Sequence, residues 1–196
     1  MSRFVRLGSL FAWLFAAGFC SVIIAICAFY LYLTPKLPDP ISLKTTQLQT
    51  PLRIFSADNK KIAEFGEKRR NPITYNEAPE TLVNAFIAAE DNRFFSHQGI
   101  DIKGLTRAAT QLIQSGRIKS GGSTITMQVA KNFFLTREKT FIRKFNEIFL
   151  ALQIEQVLNK EEIFELYMNK IYLGNRAYGV RAAASVYYGK PLNELT

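Results

Sequence analysis

In 196 residues, 25 Lys and Arg stand against 16 Asp and Glu, a formal charge of +9, with two cysteines and one histidine. The lone His97 excludes a multi-histidine metal centre. Both cysteines, Cys20 and Cys27, fall in the first apolar stretch, so the rest of the chain has no thiol for a disulfide and must be held by its core.

From Leu7 to Pro35 no residue is charged, where a membrane-spanning helix needs roughly 20 apolar residues. A cleaved secretory signal has a shorter apolar region of about 7 to 15 residues, so residues 7–33 are expected to be a retained transmembrane anchor. Arg3 and Arg6 precede it with no acidic companion. By the positive-inside rule residues 1–6 are a cytoplasmic tail and everything after Thr34 lies outside, which describes a single-pass protein of the cytoplasmic (inner) membrane. All 16 acidic residues and 23 of the 25 basic ones lie beyond the span, leaving +7 outside, 23 minus 16. Such a charge beside a bilayer suits anionic head groups or phosphate-bearing lipids. No nucleic acid is expected as a partner, because the charge faces away from the cytoplasm.

Residues 34–51, with Pro35, Pro38, Pro40 and Pro51 among Ser and Thr, read as an extended linker. The runs 52–55 and 61–65, separated by Ser-Ala-Asp-Asn-Lys, read as a short β-hairpin. From Asn76 the pattern turns helical. Pro79 suits the first turn of a helix ending near Glu90. A second helix spans about 102–115, stopped by Gly116, and a third begins at the Ser123-Thr124 cap and runs to about Asn132. A fourth covers Thr140 to Leu158, a fifth starts at the capping-box pair Asn159 and Glu162 and ends near Gly174, and a sixth covers Gly179 to Tyr188. The last residues look like the first turn of a further helix. Residues 52–196 are enough for one domain.

Three segments carry chemistry. In the first, Glu90-Asp91-Asn92-Arg93-Phe94-Phe95-Ser96-His97-Gln98-Gly99-Ile100-Asp101, an apolar helical face (Leu82, Ala85, Phe86, Ala89) leads into two adjacent carboxylates. Packed hydrocarbon on one side of Glu90 and the like charge of Asp91 would both raise the pKa, as a general base needs. An isolated Glu-Asp pair is more often a solvated helix end; the company downstream changes that balance. The second segment is Gly121-Gly122-Ser123-Thr124-Ile125-Thr126-Met127-Gln128, with Lys131 two turns on. It is either an ordinary loop before a good N-cap or an anion site at a helix N-terminus. In the third, Arg143 and Glu147 share a helix face with Lys144 alongside, preceded by Arg137 and Lys139. That is an ordinary surface ion pair or a cationic pocket that still positions an acid. Together, two carboxylates with cations between them suit glycosyl transfer from a lipid pyrophosphate. The leaving group needs its charge neutralised by Lys, Arg or a divalent cation, and the attacking sugar hydroxyl needs a base, for which Glu90 is the choice.

These segments match, in order, E-D-x-x-F-x-x-H-x-G-x-D, G-x-S-T-I-T-x-Q and R-K-x-x-E, and residues 160–174 and 177–184 resemble two further motifs. The chain thereby resembles glycosyltransferase family 51, the peptidoglycan transglycosylase domain of class A penicillin-binding proteins and monofunctional glycan polymerases, from about Leu52 to its end. The resemblance implies a mainly α, lysozyme-like transglycosylase domain, here preceded by one transmembrane helix and a short β-hairpin, that polymerises lipid II on the outer face of the membrane. It implies that Glu90 activates the 4-hydroxyl of the acceptor N-acetylglucosamine for inverting attack on the donor. Glu147 would assist at the donor, organising the pyrophosphate site or a Mg²⁺ ion, with no organic cofactor. Lys131, Lys139, Arg143 and Lys144 fall where pyrophosphate-binding cations fall, and Ser123 and Gln128 where substrate-contacting polar residues fall. Lipid II, the growing glycan strand, the bilayer and other wall-synthesis proteins are the implied partners.

Met127 replaces a common Gln, with little expected loss. The family's domain continues past the point where this chain ends, and no Ser-x-x-K occurs, so the expectation is a C-terminally truncated piece of a bifunctional protein whose transpeptidase domain is absent. His97 is expected to fix the turn after Glu90. The Phe133-Phe134-Leu135 cluster is more often core than ligand site. Leu105, Leu112 and Ile113, flanked by Lys103, Arg107, Arg117 and Lys119, suggest a region lying on the bilayer. The rival readings are a lytic transglycosylase, which has no need of the cation cluster beside a second Glu, and an inactive anchored scaffold.

Overall fold

The computed structural model describes residues 2–33, 35, 37–46, 48–49, 51–66, 69–116, 121–136 and 140–195. Met1–Pro38 and Asp39–Thr196 form two separate units. In the first, α1 (Ser2–Leu33) is one continuous helix. Its stretch Phe11–Tyr32 has a mean hydropathy of 2.4 and no buried side chain among those described, and it is long and apolar enough to cross a membrane. Phe11, Trp13, Phe15 and Phe19 are all exposed, the pattern of a helix that is apolar all round.

In the second unit the strands β1 (Leu52–Phe55), β2 (Lys61–Phe65) and β3 (Arg69–Arg70) precede the helices α2 (Glu80–Glu90), α3 (Ile102–Ser115), α4 (Ile125–Phe134), α5 (Phe141–Val157) and α6 (Lys160–Lys170). Strand β4 (Ala177–Tyr178) and helix α7 (Val180–Tyr188) follow. The hairpin expected at 52–65 forms in antiparallel register, Leu52 opposite Phe65 and Ile54 opposite Ala63. The mainly helical architecture is as the sequence indicated, with some local differences. A short parallel pairing of β3 with β4 was not anticipated. Part of the stretch read as linker is folded: Asp39 accepts a hydrogen bond from the Ile41 N–H at 2.9 Å and caps a 3-10 turn, Pro40–Thr45. That turn packs on α5 with Pro40 and Leu43 buried, because a proline-started turn followed by a leucine offers an apolar peg that an extended linker would leave in water.

The core lies where α4 packs on α5 and α6. Ile125, Met127, Val129, Leu150, Ile154, Ile163, Phe164 and Tyr167 are at most 1% exposed, each contributing about 2 kcal/mol of apolar burial. The helix ends follow local chemistry. Thr140 accepts from the Arg143 N–H and starts α5, and the Asn159–Glu162 capping box starts α6. Helix α6 stops at Lys170, earlier than the expected Gly174. Ile171 turns extended there and its carbonyl accepts from the Gly179 N–H at 2.8 Å, tying the chain into a bridge between Tyr172 and Tyr178. Gly179, at φ 92°, has no room for a side chain, since a Cβ would lie 3.1 Å from two carbonyl oxygens of α6. The expected final helix turn is a 3-10 turn, Leu192–Glu194.

Candidate active site

The first segment begins at the last residue of α2. Leu82 N–H and Val83 N–H donate to Pro79 O, which sets the helix start where the sequence placed it. At the other end Glu90 is exposed, together with Ala85 and Ala89. The apolar wall expected beside Glu90 is therefore partial: Leu82 and Phe86 are half-buried, while Ala88 and Ala89 line a cleft. Asp91 is engaged elsewhere. Asp91 leaves the helix at φ −159°, and its buried carboxylate accepts from the Ile125 N–H at 3.1 Å and lies 3.0 and 3.1 Å from His97 Nε2.

The remaining residues of that segment build the turn. His97 fixes it through Asp91, as expected. Phe94 is fully buried against Phe164, with Lys160 Nζ 4.5 Å above its ring. Gly99, at φ 78°, is so close to α5 that a Cβ would stand 2.8 Å from Ala151 O. Asp101 accepts from the Gly104 N–H and pairs with Arg93, and the Arg93 hydrogen bond holds its carboxyl below the ordinary range.

The start of α4 is not the open anion site that its glycines suggested. Asp91 takes the Ile125 N–H, and Thr124 Oγ1 accepts from the Met127 N–H at 3.1 Å while donating to Gly99 O at 2.6 Å. The helix end that would attract a ligand anion is filled by the protein's own carboxylate and hydroxyl. Gly122 serves packing, since a Cβ there would meet Leu105 at 2.7 Å.

The cations converge one step away. Glu147 is 3% exposed, which overturns the reading of an ordinary surface ion pair. Lys144 Nζ donates to its Oε2 at 3.0 Å, and Arg143 Nη1 stands 2.9 Å from Oε1 without an aligned hydrogen bond. Lys144 Nζ also donates to Ser123 Oγ at 2.7 Å. On the other side, Gln128 Nε2 donates to Glu90 Oε2 at 2.7 Å. Both carboxylates are thus fastened to one short segment, Ser123 to Gln128, each by a single intermediary or bond. Glu90, Asp101, Arg107, Gly122, Ser123 and Gln128 line a cleft of about 440 Å³, within the range of small-molecule sites. Lys131 is half-buried on α4 with no ion-pair partner among the described residues. Lys139, with Arg117, Lys119 and Arg137, lies outside the described residues, as does the side chain of Leu112.

A resident Mg²⁺ fits this cluster poorly. Glu147 already faces a cation at each oxygen, and no group of three or more His, Cys, Asp or Glu among the described residues could hold a metal ion. The same cations suit an incoming polyanion.

Sequence reasoning gave Tyr167 no role beyond the core. Its ring meets Phe86 edge-on at 5.7 Å and its hydroxyl is buried with no hydrogen-bond partner among the described residues. Helical periodicity marks such a residue as core and carries no sign of an orphaned hydroxyl. The network in which Thr126 and Lys160 both donate to Glu155 at 2.6 Å joins three helices and was equally invisible, since its members are 29 and 5 residues from the shared acid.

Residues 58–196 match the family model described as Transglycosylase. The chain is 55% identical to penicillin-binding protein 1A of Pseudomonas aeruginosa over 98% of its length and 23% of that protein. It is 54% identical to penicillin-binding protein 1A of Escherichia coli K12 over 88% of its length and 20% of that protein. A 2.6 Å crystal structure of penicillin-binding protein 1A from Haemophilus influenzae aligns with 77% of this chain and 13% of that one, at 30% identity and a TM-score of 0.33. The chain spans about a quarter or less of the length of these relatives.

Proposed function

Because the chain belongs to the Transglycosylase family and its enzyme class is peptidoglycan glycosyltransferase, we propose that this domain polymerises lipid II into glycan strands, with Glu90 as general base. The acceptor's 4-hydroxyl loses its proton to Glu90 as its oxygen attacks the donor's anomeric carbon from the side opposite the pyrophosphate. The bond from that carbon to the pyrophosphate oxygen breaks, and its electron pair leaves with undecaprenyl pyrophosphate, so the configuration inverts. Lys144, Arg143 and Lys131 neutralise the leaving charge, with Lys139 assigned to the same role, and Glu147 holds the first two in place. Ser123 and Gln128 are the polar contacts to the sugars and phosphate. No step passes through a metal ion.

The observation that carries this reading is the pair of short links from Glu90 to Gln128 and from Glu147 through Lys144 to Ser123. They tie Glu90 and the Arg143–Lys144–Glu147 cluster to the same segment of α4 and the loop before it, which supports reading them as a base and a cationic leaving-group site. A base within reach of the proton and cations at the departing charge are what this transfer requires. Helix α1 would hold the domain outside the cytoplasmic membrane, and the exposed Ile102 and Ile113 of α3 would rest on the bilayer with Lys103 and Arg107 at the head groups. In the longer protein implied by the relatives' length, a penicillin-binding transpeptidase activity belongs to the same proposal, and the coding sequence beyond Thr196 tests it.

The test is the full chain with purified lipid II on one side and preformed sacculi on the other. Glycan strands and free undecaprenyl pyrophosphate from the first are expected. Fragment release from the second would identify a lytic enzyme, and neither product would identify a scaffold.

A further inference from the structure

Glu90 and Phe86 are four residues apart on α2 and share a face. Phe86 rests edge-on against Tyr167 of α6, 5.7 Å between ring centroids, so the phenol is packed against the helix face that carries the base. Tyr167 is fully buried, and its hydroxyl oxygen has no hydrogen-bond partner among the described residues. A buried hydroxyl left unpaired costs about 1–3 kcal/mol, and a phenylalanine would fill the same space without that cost. Such an orphan, packed against the helix that carries Glu90, calls for a reason.

The resting contacts of Glu90 supply one. Its Oε2 accepts from Gln128 Nε2 at 2.7 Å, and Gln128 also lines the substrate cleft. When Gln128 turns to a sugar, the carboxylate loses a donor just as it must be held towards the acceptor hydroxyl. We propose that Tyr167 is a positioning residue for the base: in the substrate-bound arrangement its hydroxyl donates to Glu90 in place of Gln128. The proposal rests on the reading of Glu90 as general base. Burial pushes the Tyr167 phenol well above its ordinary range, and the charge of Glu90 adds to the shift. The group therefore stays a donor throughout the working pH range and does not compete for the proton.

The variant Tyr167→Phe keeps the ring contacts and removes one oxygen. In the full chain acting on lipid II, kcat is expected to fall about tenfold with KM nearly unchanged, the size of one hydrogen bond to a charged group acting in the transition state. Losing a donor to the carboxylate raises its pKa, so the acid limb of the kcat profile should move to higher pH. The melting temperature should hold or rise. A kcat and an acid limb both like wild type would overturn the proposal, as would a loss of activity that merely follows a loss of folded protein in the melt. Running Glu90→Gln beside it separates the two claims. If Glu90→Gln retains activity, the base assignment itself fails. If Glu90→Gln is inactive and Tyr167→Phe is wild type in both readouts, the positioning role alone fails.

Discussion

The two candidate acids of the site are held in opposite ways. Glu90 stands exposed at the end of a helix, on a single neutral hydrogen bond, from Gln128, among the described residues. Glu147 is buried in the middle of α5 with a cation at each oxygen. A carboxylate that must gain and lose a proton needs access and a light hold. One buried between Arg143 and Lys144 suits the role of a fixed electrostatic frame. The contrast fits the proposed division of labour between base and leaving-group site.

The largest expected effect comes from removing the lightly held acid. Glu90→Gln should lower lipid II turnover by about 10²- to 10⁴-fold, the usual contribution of a general base, while the thermal melt stays at the wild-type temperature. Comparable turnover in the two proteins would end the assignment. Glu147→Gln should do the reverse in kind: the fold weakens by about 1 kcal/mol, because Arg143 and the partly exposed Lys144 lose a buried charged partner. Chemical denaturation measures that loss, and an unchanged midpoint would mean that the pair is no frame at all. Lys144→Ala should raise KM for lipid II about tenfold, as expected for one charge-assisted contact to phosphate, with a weaker salt dependence of binding than wild type.

The smallest effect concerns acid stability at the turn that presents Glu90. The carboxyl of Asp101 lies below its ordinary value of 3.8, chiefly through the hydrogen bond from Arg93. A depressed folded pKa means stability that is complete above the unfolded value and lost as pH falls through the folded one. Asp101→Asn should therefore flatten the stability curve below about pH 4, with the difference from wild type narrowing there. Parallel curves would show that the pair carries no pH-dependent stability.

Much of this was legible from local signals. Helix α3 was expected at the residues where it lies, α5 and α7 within a residue, and the hairpin strands match, since caps, glycine stops and apolar periodicity are all short-range. What could not be read is what depends on distant neighbours. Asp91 looked like a like charge beside Glu90, yet its extended backbone turns it towards His97 and the start of α4. That one turn engages Asp91 with His97 and fills the helix N-terminus that the glycines seemed to offer. Glu147 read equally well as a surface pair, because sequence spacing places Arg143 and Lys144 beside it but says nothing of burial. Leu43 looked like linker because nothing near it in sequence announces the α5 surface that receives it.

The most direct test is a crystal structure of the full chain with an inert lipid pyrophosphate disaccharide and an acceptor disaccharide. The account expects phosphate oxygens at Lys144 Nζ and the acceptor's 4-hydroxyl about 3 Å from a Glu90 oxygen. A pyrophosphate seated away from the Arg143–Lys144–Glu147 cluster, or an acceptor hydroxyl out of reach of Glu90, would contradict it.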